Sequence, residues 1–174
     1  MKRALIVNCS LALCVLLTAT ATTACAGSII TLRIVDAESG QPIKEAIIAY
    51  RWYKVKIDVP GLPTKAITID AGEDTSDLNG TVKMPKHSML VNNLRMVVYK
   101  KGYVCWSNRH EFPGWMERKD FELNDGMVIR MERFKEVYSA KDHAWFTKSM
   151  STGLPQGPRL GDALTEETKL LLNR

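Results

Sequence analysis

Asp36-Ala37-Glu38-Ser39-Gly40-Gln41-Pro42-Ile43 lies between two runs of alternating residues. Upstream, Ile30, Leu32 and Ile34 recur at every second position, with Thr31, Arg33 and Val35 between them, the period of a strand with one face buried. Downstream, Ala46, Ile48, Tyr50 and Trp52 share one face, and Ile47, Ala49, Arg51 and Tyr53 the other. A strand this apolar on both sides belongs inside a sheet rather than at its edge. Within the quoted stretch, Gly40 permits positive φ and Pro42 fixes φ, while the short oxygen-bearing side chains of Asp36 and Ser39 suit hydrogen bonds to turn backbone. The stretch therefore predicts a turn between two strands of a β-domain, and it carries no chemistry of its own.

The same punctuation continues along the chain. Ser76-Asp77-Leu78-Asn79-Gly80 is a second turn, and Thr81-Val82-Lys83-Met84 after it is a strand stopped by Pro85. Leu94, Met96 and Val98 alternate with Arg95, Val97 and Tyr99 as another strand, which Lys101-Gly102 bends into a hairpin arm at Tyr103-Val104-Cys105-Trp106. Between positions 54 and 74, Pro60 and Pro63 deny ladder hydrogen bonds, so a projecting loop or loose hairpin is expected. A short return strand is read at Ala66-Ile67-Thr68-Ile69 and a turn at Ala71-Gly72-Glu73-Asp74. Phe112-Pro113-Gly114-Trp115 reads as a loop, and Asn124-Asp125-Gly126 as a turn leading into a strand at Met127-Val128-Ile129-Arg130-Met131. After Phe134 the alternation stops. A helix over 135–147 is expected, with Phe134, Val137, Tyr138 and Trp145 on one face, then a Pro/Gly linker over 151–158. Asp162 is taken as the N-cap of a second helix over 163–172, which docks on the β-domain or binds a partner.

At the N-terminus, Lys2-Arg3 and the apolar run over 4–17 have the layout of an export signal. The run is too short and too interrupted, by Asn8 and Ser10, for a hydrocarbon core that needs roughly 20 apolar residues. Ala24-Cys25-Ala26 fits small-x-small cleavage after Ala26. Thr22-Thr23-Ala24-Cys25 also resembles a bacterial lipobox, which implies lipidation of Cys25, although Thr22 stands where an aliphatic residue is usual. Both routes stay open, and both place the product in the periplasm or at the outer membrane of a bacterium. The chain thus divides into a signal peptide over 1–26, a β-domain over 27–134 and a helical extension over 135–174. Cys9 and Cys14 leave with the signal, so no disulfide framework exists, and Cys105, between Val104 and Trp106, reads as a small buried hydrophobe. Without Lys2 and Arg3, 22 basic residues face 19 acidic ones, intermixed along the chain, a balance that implies no nucleic-acid partner.

The order strand, Asp36-x-x-Ser39-Gly40-x-Pro42-Ile43, long strand, Asp77-x-Asn79-Gly80, strand, Leu94-containing strand, Gly102-Tyr103 resembles the carboxypeptidase regulatory-like family. The resemblance covers about 29–133 and implies a mainly β fold, a transthyretin-like antiparallel β-sandwich of about seven strands, here with a short helical C-terminal extension. It implies no catalytic residue and no cofactor. One departure stands out: where the family commonly has Gly before the Ala of its second strand, this chain has Glu45.

Chemistry-bearing constellations are sparse. His87, His110 and His143 fall on separate stretches without His-x-x-x-His or Cys-x-x-Cys spacing, so no metal site is expected. Transthyretin-like hydroxyisourate hydrolases end in Tyr-Arg-Gly-Ser, whereas this chain ends in Leu171-Leu172-Asn173-Arg174. No phosphate loop or nucleophile elbow is present. Trp52 and Trp106 occupy strand positions and are assigned to the core; Trp115, in a loop, is the candidate ligand contact. The expectation is a noncatalytic exported envelope protein with a structural or protein-binding β-domain, attached to the membrane if Cys25 is acylated. The alternative is a carbohydrate-binding module that stacks a glycan on loop aromatics.

Overall fold

The computed structural model describes residues 28–56, 65–155 and 157–172. Cys25, the signal segment and the prolines Pro60 and Pro63 lie outside these residues. Nine strands and two helices follow one another among the described residues: β1 (Ile29–Asp36), β2 (Ile47–Lys56), β3 (Lys65–Thr75), β4 (Thr81–Pro85), β5 (Asn93–Tyr99), β6 (Trp106–Ser107), β7 (His110–Glu111), β8 (Met116–Glu117), β9 (Met127–Met131), α1 (Ala140–Ser151) and α2 (Pro158–Leu172). They form three sheets, ordered β4-β1-β9, β3-β2-β5-β6 and β7-β8. The protein is mainly β with two C-terminal helices.

Two corrections to the expected seven-stranded antiparallel sandwich follow. The strands number nine in three sheets, and β9 runs parallel to β1, with Ile34 opposite Ile129. The second difference has a local cause. The Asn124-Asp125-Gly126 turn makes no hairpin; it docks on β1, where the Asp125 carboxylate accepts the Thr31 N–H at 2.7 Å and the Gly126 N–H donates to the Thr31 carbonyl at 2.8 Å. The chain therefore enters β9 from the beginning of β1 and runs alongside it.

The three- and four-stranded sheets face each other over one apolar core. Leu32 and Ile34 from β1, Met84 from β4 and Ile129 from β9 meet Ile48 and Trp52 from β2 and Met96 from β5. The other face of the four-stranded sheet is also covered: Ala49, Val97 and Tyr99 pack with Phe146 and Met150 of α1 and Leu160 of α2. This is why both faces of β2 are apolar in sequence, and it sits between β3 and β5 as that pattern requires.

The turn motifs converge at one end of the molecule. Asp36, only 2% exposed, accepts the N–H groups of Glu38 and Ser39 on Oδ1, at 3.0 and 2.9 Å. Its Oδ2 takes the Arg133 Nε at 2.6 Å and the Tyr103 hydroxyl at 3.1 Å. These donors hold its carboxyl well below the usual carboxylate range, the Ser39 amide first and Arg133 next. The Ser76 hydroxyl accepts the Ala46 N–H and donates to the Ile43 carbonyl. Gly80, at φ 71, brings its backbone against Ile34, where any Cβ would strike the Ile34 carbonyl.

Three further expectations are corrected. The stretch at Ala71-Gly72-Glu73-Asp74 is no turn but part of the second half of β3, continuous from Lys65 to Thr75 and bulged opposite Trp52 and Tyr53. Gly72 is there because it faces the Tyr50 phenol across the ladder, leaving the ring the room a side chain would take. The first helix starts at Ala140 behind an Ser139 N-cap, so Phe134, Val137 and Tyr138 precede it; its buried face is His143, Phe146, Thr147 and Met150, and Trp145 points outward. The second helix starts at Pro158, not after Asp162, because its cap comes from elsewhere: the Glu73 carboxylate on β3 accepts the N–H groups of Arg159 and Leu160 at 3.1 and 3.2 Å.

Candidate functional site

The β7–β8 hairpin carries residues 112–115 at its tip and is pinned from behind by Arg118. That guanidinium lies over the Trp106 ring, donates to the Ser107 carbonyl at 2.9 Å and pairs with Glu111 at 3.0 Å. The hairpin tip leans on the start of α1. Phe112 meets Tyr138, His143 and Phe146 edge to face at 5.3, 5.3 and 5.6 Å. Trp115 meets Phe146 at 5.1 Å, on a backbone held at φ 55. A left-handed conformation costs a non-glycine residue roughly 1–2 kcal/mol, which the seat of the indole against Phe146 offsets.

Between the hairpin and the helix runs an open groove of about 520 Å³, walled by Phe112, Pro113, Trp115, Val137, Tyr138 and Trp145, with Ser139 and Asp142 at its rim. Trp115 is 42% exposed and Trp145 56%, so indole surface from two separate elements faces solvent across one groove. Its polar groups are largely engaged within the chain. The Ser139 hydroxyl accepts the Asp142 N–H, the Tyr138 hydroxyl donates to Glu132 at 2.7 Å, and Lys148 lies 5.6 Å from the Trp145 ring. What the groove offers is apolar, aromatic area with few directional partners. Trp115 is the candidate contact read from sequence; Trp145 was assigned there to a helix face with Phe134, and its convergence with Trp115 has no local signal.

Beneath the groove, residues with catalytic potential meet in the layer between the four-stranded sheet and the helices. His143 Nε2 accepts the Cys105 backbone N–H at 2.9 Å, which requires that nitrogen to be unprotonated, and burial lowers the imidazole pKa to about 4. His143 Nδ1 lies 3.6 Å from Glu167 Oε1, and Tyr99 neighbours the same carboxylate. Burial pushes the Glu167 carboxyl up, and the Cys105 thiol up to about 12. A cysteine, a histidine and a glutamate are thus neighbours, yet the imidazole nitrogen turned towards Cys105 is occupied by a backbone proton and the thiol stays protonated. Both features oppose nucleophilic activation of the Cys105 thiol. Glu167 is absent from the sequence reading because nothing near it marks it.

His87 pairs with Asp70 at 3.1 Å, and His110 lies in the β7 strand, so the three histidines occupy three places. No group of three or more His, Cys, Asp or Glu side chains placed for a metal occurs among the described residues. Trp52 is fully buried and Trp106 8% exposed. The lipidation candidate Cys25 is outside the described residues.

No family model matches the chain, and no curated protein matches it. Among solved structures, it is similar to 3-chlorocatechol 1,2-dioxygenase from Rhodococcus opacus 1CP, at 15% identity and a TM-score of 0.38 over 63% of this chain and 62% of that one. A streptococcal ancillary pilin is similar at 9% identity and a TM-score of 0.33, over 63% of this chain and 30% of that one. An intradiol ring-cleavage dioxygenase from Tetranychus urticae is similar at 22% identity and a TM-score of 0.28, over 42% and 45%. The chain spans less than two thirds of each, and at these values the likenesses carry nothing about its activity; the fold and the groove stand on the chain's own geometry.

Proposed function

We propose that this chain is a noncatalytic exported envelope protein whose β-domain is of the carboxypeptidase regulatory-like, transthyretin-like kind and binds another protein through the aromatic groove. One observation carries the binding reading: Trp115 and Trp145, each about half exposed, converge with Val137 on one groove whose polar neighbours are mostly engaged internally. Exposed tryptophans grouped around a concave apolar surface are the usual anchors of protein interfaces, and an apolar side chain of a partner needs no more than this groove provides. The hydrogen bond of Tyr103 to Asp36 and the docking of Gly80 on Ile34 support the family reading, since Asp36, Gly80 and Tyr103 are among the positions that carry the resemblance. The inert environment of Cys105 and His143 supports a noncatalytic role.

A second reading, a glycan stacked on the loop aromatics, is favoured by the exposed indole of Trp115 alone; a sugar also needs a ring of hydrogen-bonding side chains, which the groove holds mainly as Asp142.

The test is a photo-crosslinker installed beside the groove at Val137, with the mature protein kept in its own envelope. A single reproducible protein partner is expected, with the yield falling about tenfold when Trp115→Ala and Trp145→Ala are introduced in folded protein. Crosslinking insensitive to both changes, or a glycan whose array signal disappears with Trp115→Ala, would move the function elsewhere. Intact mass of the same preparation reads the N-terminus: a diacylglycerol adduct on Cys25 or a start at Gly27.

A further inference from the structure

We infer that the end of the molecule opposite the Asp36 turn is a docking face for an anionic bilayer surface. Strand register assembles this end. Ile29 lies opposite Pro85, Asn93 opposite Tyr53, and Lys56 opposite Lys65, so the start of β1, the 86–92 connection and the outer ends of β2 and β3 all meet there. The connection presents three consecutive apolar residues, Met89, Leu90 and Val91, of which Leu90 is 96% exposed. Val55 and Ile67, also exposed, lie on the neighbouring strand ends.

This apolar tip is built. Asn92, nearly buried, directs both its backbone N–H and its side-chain amide onto the Ser88 carbonyl, at 3.2 and 2.9 Å, which closes the turn and holds the three residues outward. Behind it the buried Trp52 indole donates to the Pro85 carbonyl and meets the His87 ring at 5.3 Å, giving the turn a rigid base. At the opposite end the turn over residues 76–80 exposes a single large apolar side chain, Leu78, between Asp77 and Asn79.

Charge selects the occupant. Lys54 and Lys65 are exposed on the strand ends beside the tip, and Lys86 begins the connection itself. Among the described residues, the carboxylate that reaches this turn, Asp70, is paired with His87, and Asp125 is turned onto the Thr31 N–H. Apolar residues at the tip with ammonium groups around them suit an interface of acyl chains beneath acidic headgroups, where each lysine adds about a fivefold gain in binding. Chain entry points the same way. The first described residue, Ser28, accepts the Lys86 N–H on its carbonyl at 2.7 Å, and Cys25 is three residues earlier, a reach of roughly 10 Å in extended chain. An acyl group there would bring this end, and not the groove, against the membrane. A basic, apolar face adds to the hold of acyl chains and orients the domain that they tether.

The inference takes its setting from the reading of the chain as exported, and the two fail separately: the mass of the N-terminus reports export, and vesicle binding reports the docking face. The full chain carrying Cys25→Ser, which removes the acylation route, is exported from a bacterial host and its folding checked by circular dichroism. Co-sedimentation is then measured with vesicles of phosphatidylglycerol and phosphatidylethanolamine, and with vesicles of phosphatidylcholine alone. Binding to the anionic vesicles about tenfold or more above the neutral ones, weakened by salt, is expected. Leu90→Asp in the same background should reduce it about tenfold, Lys54→Glu with Lys65→Glu about 25-fold or more, and Leu78→Asp at the opposite end not at all. Folded protein that ignores anionic vesicles, or equal retention by Leu90→Asp and Leu78→Asp, overturns the inference. A dimer seen by light scattering that Leu90→Asp dissociates would also overturn it, by assigning the face to a second copy of this chain.

Discussion

Glu45 shows how a single residue can carry a cost that the surrounding fold imposes. It sits at φ 54, between the turn and the second strand, with its N–H donating to the Ser76 carbonyl at 2.9 Å. The chain must pass through the left-handed region here to bring Ala46 under the Ser76 hydroxyl, and the resembled family meets the same need with glycine. The side chain gains only an exposed ion pair with Lys100, at 3.6 Å, worth little in water. Glu45→Gly should therefore stabilise the protein by about 0.5–1 kcal/mol, the relief of roughly 1–2 kcal/mol of backbone strain less the entropy glycine loses on folding. The reading is a higher urea midpoint at unchanged slope; a lower midpoint would mean that the Lys100 pair outweighs the strain. The departure at Glu45 was visible in sequence, but its meaning was not, because φ is fixed by hydrogen bonds to residues 30 positions away.

At the scale of elements, strands with one local pattern were legible and those decided by a neighbour were not. β1 and β5 read directly from period-two alternation, since the sandwich core buries alternate residues in each. β3 did not, because Gly72 signals a turn locally while it serves the Tyr50 ring on the adjacent strand. α1 was displaced by five residues because aromatics at 134 and 138 fall at helical spacing but precede the Ser139 cap, packing on Phe112 and His143 from an irregular segment. His143 then fixes the helix to the sheet. Its Nε2 accepts the Cys105 N–H, and burial drops the ring's pKa from about 6.5 in the unfolded chain to about 4 in the fold. The unfolded chain takes up a proton in that window and the folded chain does not, so this group's contribution is full above about pH 6.5 and is lost as the pH falls towards about 4. Glu167, whose carboxyl is raised by burial, works in the opposite sense, its ionisation penalising the fold as the pH rises. His143→Gln, which keeps an acceptor but cannot titrate, isolates the histidine: the wild-type stability measured relative to this variant should decrease between about pH 7 and about pH 4.5. A difference independent of pH would mean that His143 titrates in the fold as it does in the unfolded chain. His143→Ala should cost about 2–4 kcal/mol at neutral pH, through an orphaned buried N–H and a cavity.

Across the whole molecule, the helical layer is attached to the sheet by charges that match the helix dipoles. Arg95 on β5 donates to the Ser149 carbonyl at 2.9 Å and Arg51 on β2 to the Gly153 carbonyl at 3.1 Å, so guanidinium groups meet the negative end of α1. Glu73 on β3 meets the positive end of α2, taking two of its free N–H groups. Gly157 belongs to this contact, since a Cβ there would lie 2.7 Å from the Glu73 carboxylate; in sequence it reads only as linker. None of these pairs was legible, because the sheet supplies a cap that helices usually find within a few residues of their own chain. These polar contacts sit at the margin of the layer, whose centre is the buried apolar cluster that Ala49, Val97 and Tyr99 form with Phe146, Met150 and Leu160. Glu73→Ala is therefore expected to act locally: about 1–2 kcal/mol lost, Glu73→Gln less because an acceptor remains, and Gly157→Ala in the same direction as Glu73→Ala by pushing the carboxylate away. Amide hydrogen exchange reads the location. Protection should fall over the first turn of α2 while the amides of β2 and β5 keep theirs, since the Glu73 cap serves that end of the helix and the strand ladders do not depend on it. If β2 and β5 lose protection to the same degree, the helices and the sandwich unfold as one unit, and the C-terminal residues are part of the domain rather than a layer added to it.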